Sequence, residues 1–185
     1  MKIFLAGGTG VVGTRALPAL VAAGHQVTAV ARSAAKAELV RSLGGRPVSV
    51  DLFDAAAVKA AVVDHDVVIN LATSIPATAK AVRAAAWSDN ERLRSEASNH
   101  LVDAALAAGA ARFVQESIAF PYLDNGAEWI DEDHVVDHVG PFQGAGAAEA
   151  AARRFAVDGG EGVVLRYGHR ASEPARLWRP SAPPR

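Results

Sequence analysis

The sequence predicts an α/β fold, a doubly wound parallel sheet, on three observations. Short β-branched apolar runs alternate with longer alanine-rich helical patterns over the first two-thirds of the chain. Two runs, Val67-Val68-Ile69 and Phe113-Val114, are continuously apolar, as expected of strands covered on both faces. A glycine-rich turn, Gly7-Gly8-Thr9-Gly10-Val11-Val12-Gly13, separates the first run from the first helical pattern.

In chain order, strands are expected at Lys2–Ala6, Gln26–Ala31, Pro47–Asp51, Asp66–Leu71, Arg112–Glu116 and Gly162–Arg166, with helices in the intervals. Gly24 and Gly44 stand where a helix wants a left-handed C-terminal cap. Gly109 closes a long pattern that begins near Trp87 and continues through Leu93, Ala97, Leu101, Ala105 and Ala108. Its apolar positions recur at three and four residues, so one face of that helix is buried. From Phe120 to Gly146, prolines, glycines and the acidic cluster Asp131-Glu132-Asp133 replace periodicity, and a long loop is expected. Helical pattern resumes over Ala147–Val157. Residues 1–168 are then expected to form one domain. The remainder, His169 to Arg185, carries Pro174, Pro180, Pro183, Pro184 and four arginines with no apolar face, and is expected to be disordered or loosely attached.

Composition narrows the function. A chain of 185 residues, 50% hydrophobic and 21% charged, buries one sizeable core. Nineteen Lys+Arg against twenty Asp+Glu leave a net charge of -1, which offers no broad attraction to nucleic acid. With no cysteine, thiolate catalysis and cysteine-ligated zinc are excluded. No apolar stretch reaches membrane-spanning length, so neither nucleic acid nor membrane is expected as a partner, and a cytoplasmic protein acting on a small molecule is. His134 and His138 are spaced i, i+4 beside Asp131, Glu132, Asp133 and Asp137, but in loop-like surroundings without a zincin pattern, so no metal site is expected.

The glycine turn carries the chemistry. Gly7 permits the tight turn, Gly10 lets the backbone approach a diphosphate, and Gly13 lets the helix pack closely on the strand. The phosphates would sit on amides across residues 7 to 13, Gly8, Thr9, Val11 and Val12 among them, at the positive end of the first helix. This is the dinucleotide signature of a Rossmann fold. After the second strand, where a carboxylate commonly takes both ribose hydroxyls, the chain has Arg32 and Ser33. Either Arg32 pairs with a 2′-phosphate and Ser33 donates to it, which makes NADP the first choice and NAD the second, or Arg32 is an ordinary solvated residue. At Asp51-Leu52 the carboxylate either accepts from an adenine amino group while leucine covers the ring, or caps a helix starting near Asp54.

Together with Asn70-Leu71-Ala72-Thr73 after the fourth strand, these residues resemble the extended and atypical short-chain dehydrogenase/reductases, the NAD-dependent epimerase/dehydratase group, over roughly residues 1–168. The resemblance implies strand order 3-2-1-4-5-6, a cofactor across the switch point touching Leu71, Ala72 and Thr73, and a homodimer through the 87–109 helix. It also implies a catalytic serine, tyrosine and lysine. Ser117 matches the serine, whereas Phe142 and Gly146 stand where the tyrosine and lysine belong, so the usual proton donor is replaced. Tyr122, five residues after Ser117, is the substitute candidate, and Tyr167 is a second phenol at the end of the last strand. The resemblance also implies a further substrate-binding lobe after the last matched strand, which this sequence is expected largely to lack. Three readings follow: an oxidoreductase or epimerase using Ser117 and a non-standard acid, a non-catalytic NAD(P)-binding sensor, or an inactive truncated member.

Overall fold

A computed structural model of the chain describes residues 1–76 and 83–168; the expected tail lies outside the described residues. The strands are β1 (Lys2–Ala6), β2 (Gln26–Val30), β3 (Arg46–Val48), β4 (Val67–Asn70), β5 (Arg112–Ile118) and β6 (Glu161–Tyr167). The helices are α1 (Gly13–Ala22), α2 (Ala34–Ser42), α3 (Ala55–Val62), α4 (Ser88–Arg92), α5 (Ser98–Ala107) and α6 (Gln143–Val157). All six strands are parallel neighbours in the order β3-β2-β1-β4-β5-β6. The order reverses direction between β1 and β4, which leaves a crevice at the carboxyl ends of those strands.

The sheet is sandwiched between two apolar clusters. On one face Leu17 of α1 and Val40 of α2 pack with Ile3, Leu5 and Val27. On the other, Val58, Leu101 and Phe155, from α3, α5 and α6, pack with Phe4, Val68 and Phe113. Alternate residues of β1 thus serve opposite clusters, which explains the unbroken apolar run. Gly24, Gly44 and Gly109 hold positive φ (84°, 86° and 66°) at the ends of α1, α2 and α5, as expected of left-handed caps.

Three expected elements need correction. The third strand ends at Val48 rather than Asp51, because the Asp51 carboxylate accepts from Phe53 N (3.0 Å) and turns the chain, while Val50 and Leu52 plug the core instead of pairing. The long helix is not continuous. A π turn, Leu93–Ala97, separates α4 from α5, and such turns recur at functional sites because one extra residue re-aims the side chains they carry. Finally, α6 begins at Gln143, not Ala147. Gly144 and Gly146 read as helix breakers, yet a Cβ on Gly144 would meet the Glu91 carboxylate at 2.6 Å and one on Gly146 would meet His138 at 2.9 Å. Close packing, not a break, requires them.

Candidate functional site

The glycine turn folds over the crevice at the end of β1. Gly7 has φ +78°, and a Cβ there would lie 2.4 Å from the Leu71 carbonyl group, so the positive φ and the crossing of β4 both demand glycine. A Cβ on Gly13 would fall 2.2 Å from Gly7 O and 2.6 Å from Gly8 Cα. At Gly10 the nearest atom, Gly7 O, is 3.3 Å away, so the protein itself tolerates a side chain there far better. Among the described residues, the amides of Val11, Val12 and Gly13 find no acceptor, and α1 has neither a capping side chain nor an acid in its first turn. Free donors at an uncompensated positive helix end fit a diphosphate.

Gly7, Thr9, Gly10, Arg32, Asp51, Leu52, Leu71, Ala72 and Thr73 line one opening of about 110 Å³. Gly8 is turned inward, where a Cβ would meet Ala29 and Leu5 at 3.0 and 3.1 Å. The Val11 side chain is exposed, and that of Val12 packs on the α1/α2 cluster, so both bring amides rather than side chains. Ser33 is the N-cap of α2: its Oγ accepts from Lys36 N (3.3 Å), which leaves the O–H free to donate. Asp54, not Asp51, caps α3 through Ala56 N and Ala57 N. Asp51 therefore keeps one carboxylate oxygen beyond its bond to Phe53 N.

Four lining residues escaped sequence reasoning: Val30, Lys36, Phe53 and Leu93. Lys36 lies one turn into α2 beyond Arg32, a helical spacing that places a second cation at the same end of the opening. The Arg92 guanidinium stacks 3.8 Å from the Phe53 ring centroid and fixes that wall. Asn70, buried at the end of β4, donates to Ser98 Oγ (3.1 Å) and Gln115 Oε1 (3.0 Å), and accepts from Ala72 N (3.1 Å). It sets the strand end against which the glycine turn rests.

A second, apolar cleft of about 380 Å³ is lined by Ile75, Trp87, Asn90, Arg94, Ile118, Phe120, Phe142 and Ala145. Phe142, the residue standing where the resemblance asks for tyrosine, belongs to this cleft. The two candidate catalytic residues do not. Ser117 is fully buried and donates to Glu149 Oε1 at 2.7 Å, because the alternation of β5 sends Phe113, Gln115 and Ser117 toward α5 and α6 and leaves Ile118 to line the cleft. The Tyr122 hydroxyl accepts from Arg166 Nη1 (2.7 Å) and lines a separate surface hollow with Glu132 and Arg166. Tyr167 also lies there. Of the paired histidines, His138 approaches Glu149 Oε1 at 3.5 Å and His134 Nε2 lies 3.2 Å from Leu123 O. The two point to different partners.

Among the described residues two buried carboxylates are paired with arginine, one of them, Glu116, through the cleft-lining Arg94. Glu149, with no exposed surface, takes a bidentate Arg166 (2.9 and 2.7 Å) together with the Ser117 hydroxyl. Burial alone would raise its pKa; the hydrogen bonds from Arg166 and Ser117, with the charges of Arg166 and His138, overcome that and hold it at about 2. Glu116 takes both its bonds from a single nitrogen, Arg94 Nη2 (2.8 and 2.7 Å). There burial prevails over the arginine and raises the carboxyl above its ordinary value.

The sequence matches the NAD(P)H-binding family over residues 7–171. A curated relative, the 3-diazoavenalumate denitrifying reductase of a Streptomyces species, is 37% identical over 177 residues, 91% of this chain. The chain spans 56% of that relative's length. Among solved structures, a short-chain dehydrogenase/reductase superfamily protein from Agrobacterium tumefaciens with bound NAD matches 90% of this chain and 48% of its own, at TM-score 0.70 and 26% identity. UDP-glucuronic acid 4-epimerase from Bacillus cereus, in complex with UDP-glucuronic acid and NAD, matches 90% of this chain and 56% of its own at TM-score 0.74; at 19% identity it shows the shared fold. Among the described residues no helix is long and apolar enough to cross a membrane. Glycine turn, sheet order and sequence match agree, and the chain belongs to the NAD(P)H-binding family, with the Rossmann fold of the short-chain dehydrogenase/reductases and NAD-dependent epimerases.

Proposed function

We propose that the chain is the coenzyme-binding part of an NADP(H)-dependent reductase whose acceptor occupies the apolar cleft beside Phe142. The observation that carries the reading is that Arg32 and Lys36 share one opening with the glycine turn, and no carboxylate follows β2 at residues 31 to 33. Two cations beside a serine hydroxyl suit a 2′-phosphate, while the amides of residues 11 to 13 hold the diphosphate. When bound, the nicotinamide supplies a hydride. Leu71, Ala72 and Thr73 line the side of the opening next to β4, and Trp87, Ile118, Phe120 and Phe142 would wall the acceptor. With phenylalanine and glycine replacing the tyrosine and lysine, the proton that completes reduction comes from solvent rather than from a phenol. The Streptomyces relative, named as a reductase that denitrifies 3-diazoavenalumate, supports reduction over epimerisation.

Fluorescence titration tests the coenzyme preference. NADPH is expected to bind more tightly than NADH, and Arg32→Ala to weaken NADPH by about ten- to a hundredfold, the range of a lost charge-assisted hydrogen bond, while NADH affinity stays put. Lys36→Ala should act in the same direction. Equal affinities of the unaltered chain for both coenzymes would remove NADP from the reading. Turnover is a separate test: Ser117→Ala should leave any NADPH-consuming activity intact, since its hydroxyl faces Glu149 and not the cleft. Loss of turnover in a well-folded Ser117→Ala protein would return serine to the chemistry.

A further inference from the structure

Arg94 is 3% exposed and lines the apolar cleft, yet its Nε and Nη1 groups have no acceptor among the described residues. A guanidinium presents five N–H donors, and Glu116 occupies only Nη2. Buried donors are nearly always satisfied, so those that are not call for an acceptor brought from outside. The surrounding wall is aromatic and aliphatic: Trp87, Ile118, Phe120 and Phe142. Asn90 is committed, its Oδ1 accepting from Ser74 N at 3.0 Å.

We propose that Arg94 is a substrate-anchoring residue, and that the cleft takes a flat, largely apolar molecule whose single carboxylate accepts from one of its two free groups, Nη1 or Nε, which lie on opposite edges of the guanidinium. The inference rests on reading the cleft as the acceptor site, and names the class of molecule that site selects. A charged partner is favoured over a neutral carbonyl because the guanidinium is desolvated and its one resident partner touches a single nitrogen. Sequence reasoning passed over Arg94 because it sits within an apparently regular helix; the π turn and the pairing with β5 give it this place.

The probe is 2-naphthoate, with 2-naphthalenemethanol as its uncharged counterpart, titrated calorimetrically into the full chain with and without NADPH. The carboxylate is expected to bind at least tenfold more tightly than the alcohol. Arg94→Lys, which keeps the charge but loses the planar array of donors beyond the Glu116 pair, should weaken 2-naphthoate at least tenfold and leave the alcohol unchanged. Glu116→Gln should act oppositely, tightening 2-naphthoate severalfold, because it removes a competing negative charge while an amide oxygen still accepts from Nη2. If Arg94→Lys fails to melt cooperatively, Glu116→Gln decides alone. Equal binding of acid and alcohol, or indifference of 2-naphthoate to Glu116→Gln, overturns the proposal. NADPH affinity, measured on each variant, reports the coenzyme site independently, so loss of coenzyme binding is distinguished from loss of the carboxylate site.

Discussion

Gly13→Ala should weaken NADP(H) binding by more than a hundredfold, roughly 3 kcal/mol, and lower the melting temperature as well. The added Cβ would fall 2.2 Å from Gly7 O and within 2.7 Å of Gly8 Cα and C, all backbone atoms that cannot rotate away. Relief requires the start of α1 to withdraw from the turn, and the free amides of residues 11 to 13 withdraw with it. Gly10→Ala separates binding from folding. Its Cβ meets only Gly7 O, at 3.3 Å, so the melting temperature should barely move while coenzyme affinity falls, because that side chain stands where the diphosphate must approach. Calorimetric titration beside thermal melts checks both variants. Unchanged coenzyme affinity in Gly13→Ala would show that the turn does not hold the diphosphate.

Glu149→Ala should cost about 3 kcal/mol of stability, a fall in melting temperature on the order of 10 °C. The substitution leaves Arg166 in place without its bidentate partner and strips the acceptor from the buried Ser117 hydroxyl. The same carboxylate governs acid stability. Its folded pKa of about 2 lies below the ordinary 4.5, so its contribution is complete above about pH 4.5 and disappears as pH falls toward 2. Glu116 has the opposite sign: with its folded pKa raised, protonation on acidification relieves a cost instead of removing a gain. Denaturant melts at stepwise lower pH should therefore show a steep loss between pH 4.5 and 2 in the unaltered chain and a much shallower one in Glu149→Gln. Identical slopes would place the acid-sensitive group elsewhere.

Much of the architecture was legible because each signal was local. The first strand runs from Lys2 to Ala6 as its apolar run implies, and the glycine turn follows it directly. What could not be read depends on partners distant in sequence. Gly144 and Gly146 look like breakers until Glu91 and His138 are seen filling the space beside them. Val50 and Leu52 look like strand until they turn into the core. At the site, the turn announced itself, but Lys36, Phe53 and Leu93 reach the opening from three other segments, and only the tertiary fold gathers them. Ser117 matched by position and Tyr122 stood as the substitute phenol, yet strand alternation and Arg166 draw their hydroxyls elsewhere.

Leu93 and Arg94 are consecutive residues of the π turn, and Leu93 borders the dinucleotide opening while Arg94 borders the apolar cleft. Excising one residue from that segment would restore an unbroken helix and swing one flank about 100° relative to the other. A lineage cannot remodel either wall by such a deletion without disturbing its neighbour, so the shape of the glycine-turn opening and that of the apolar cleft are inherited together.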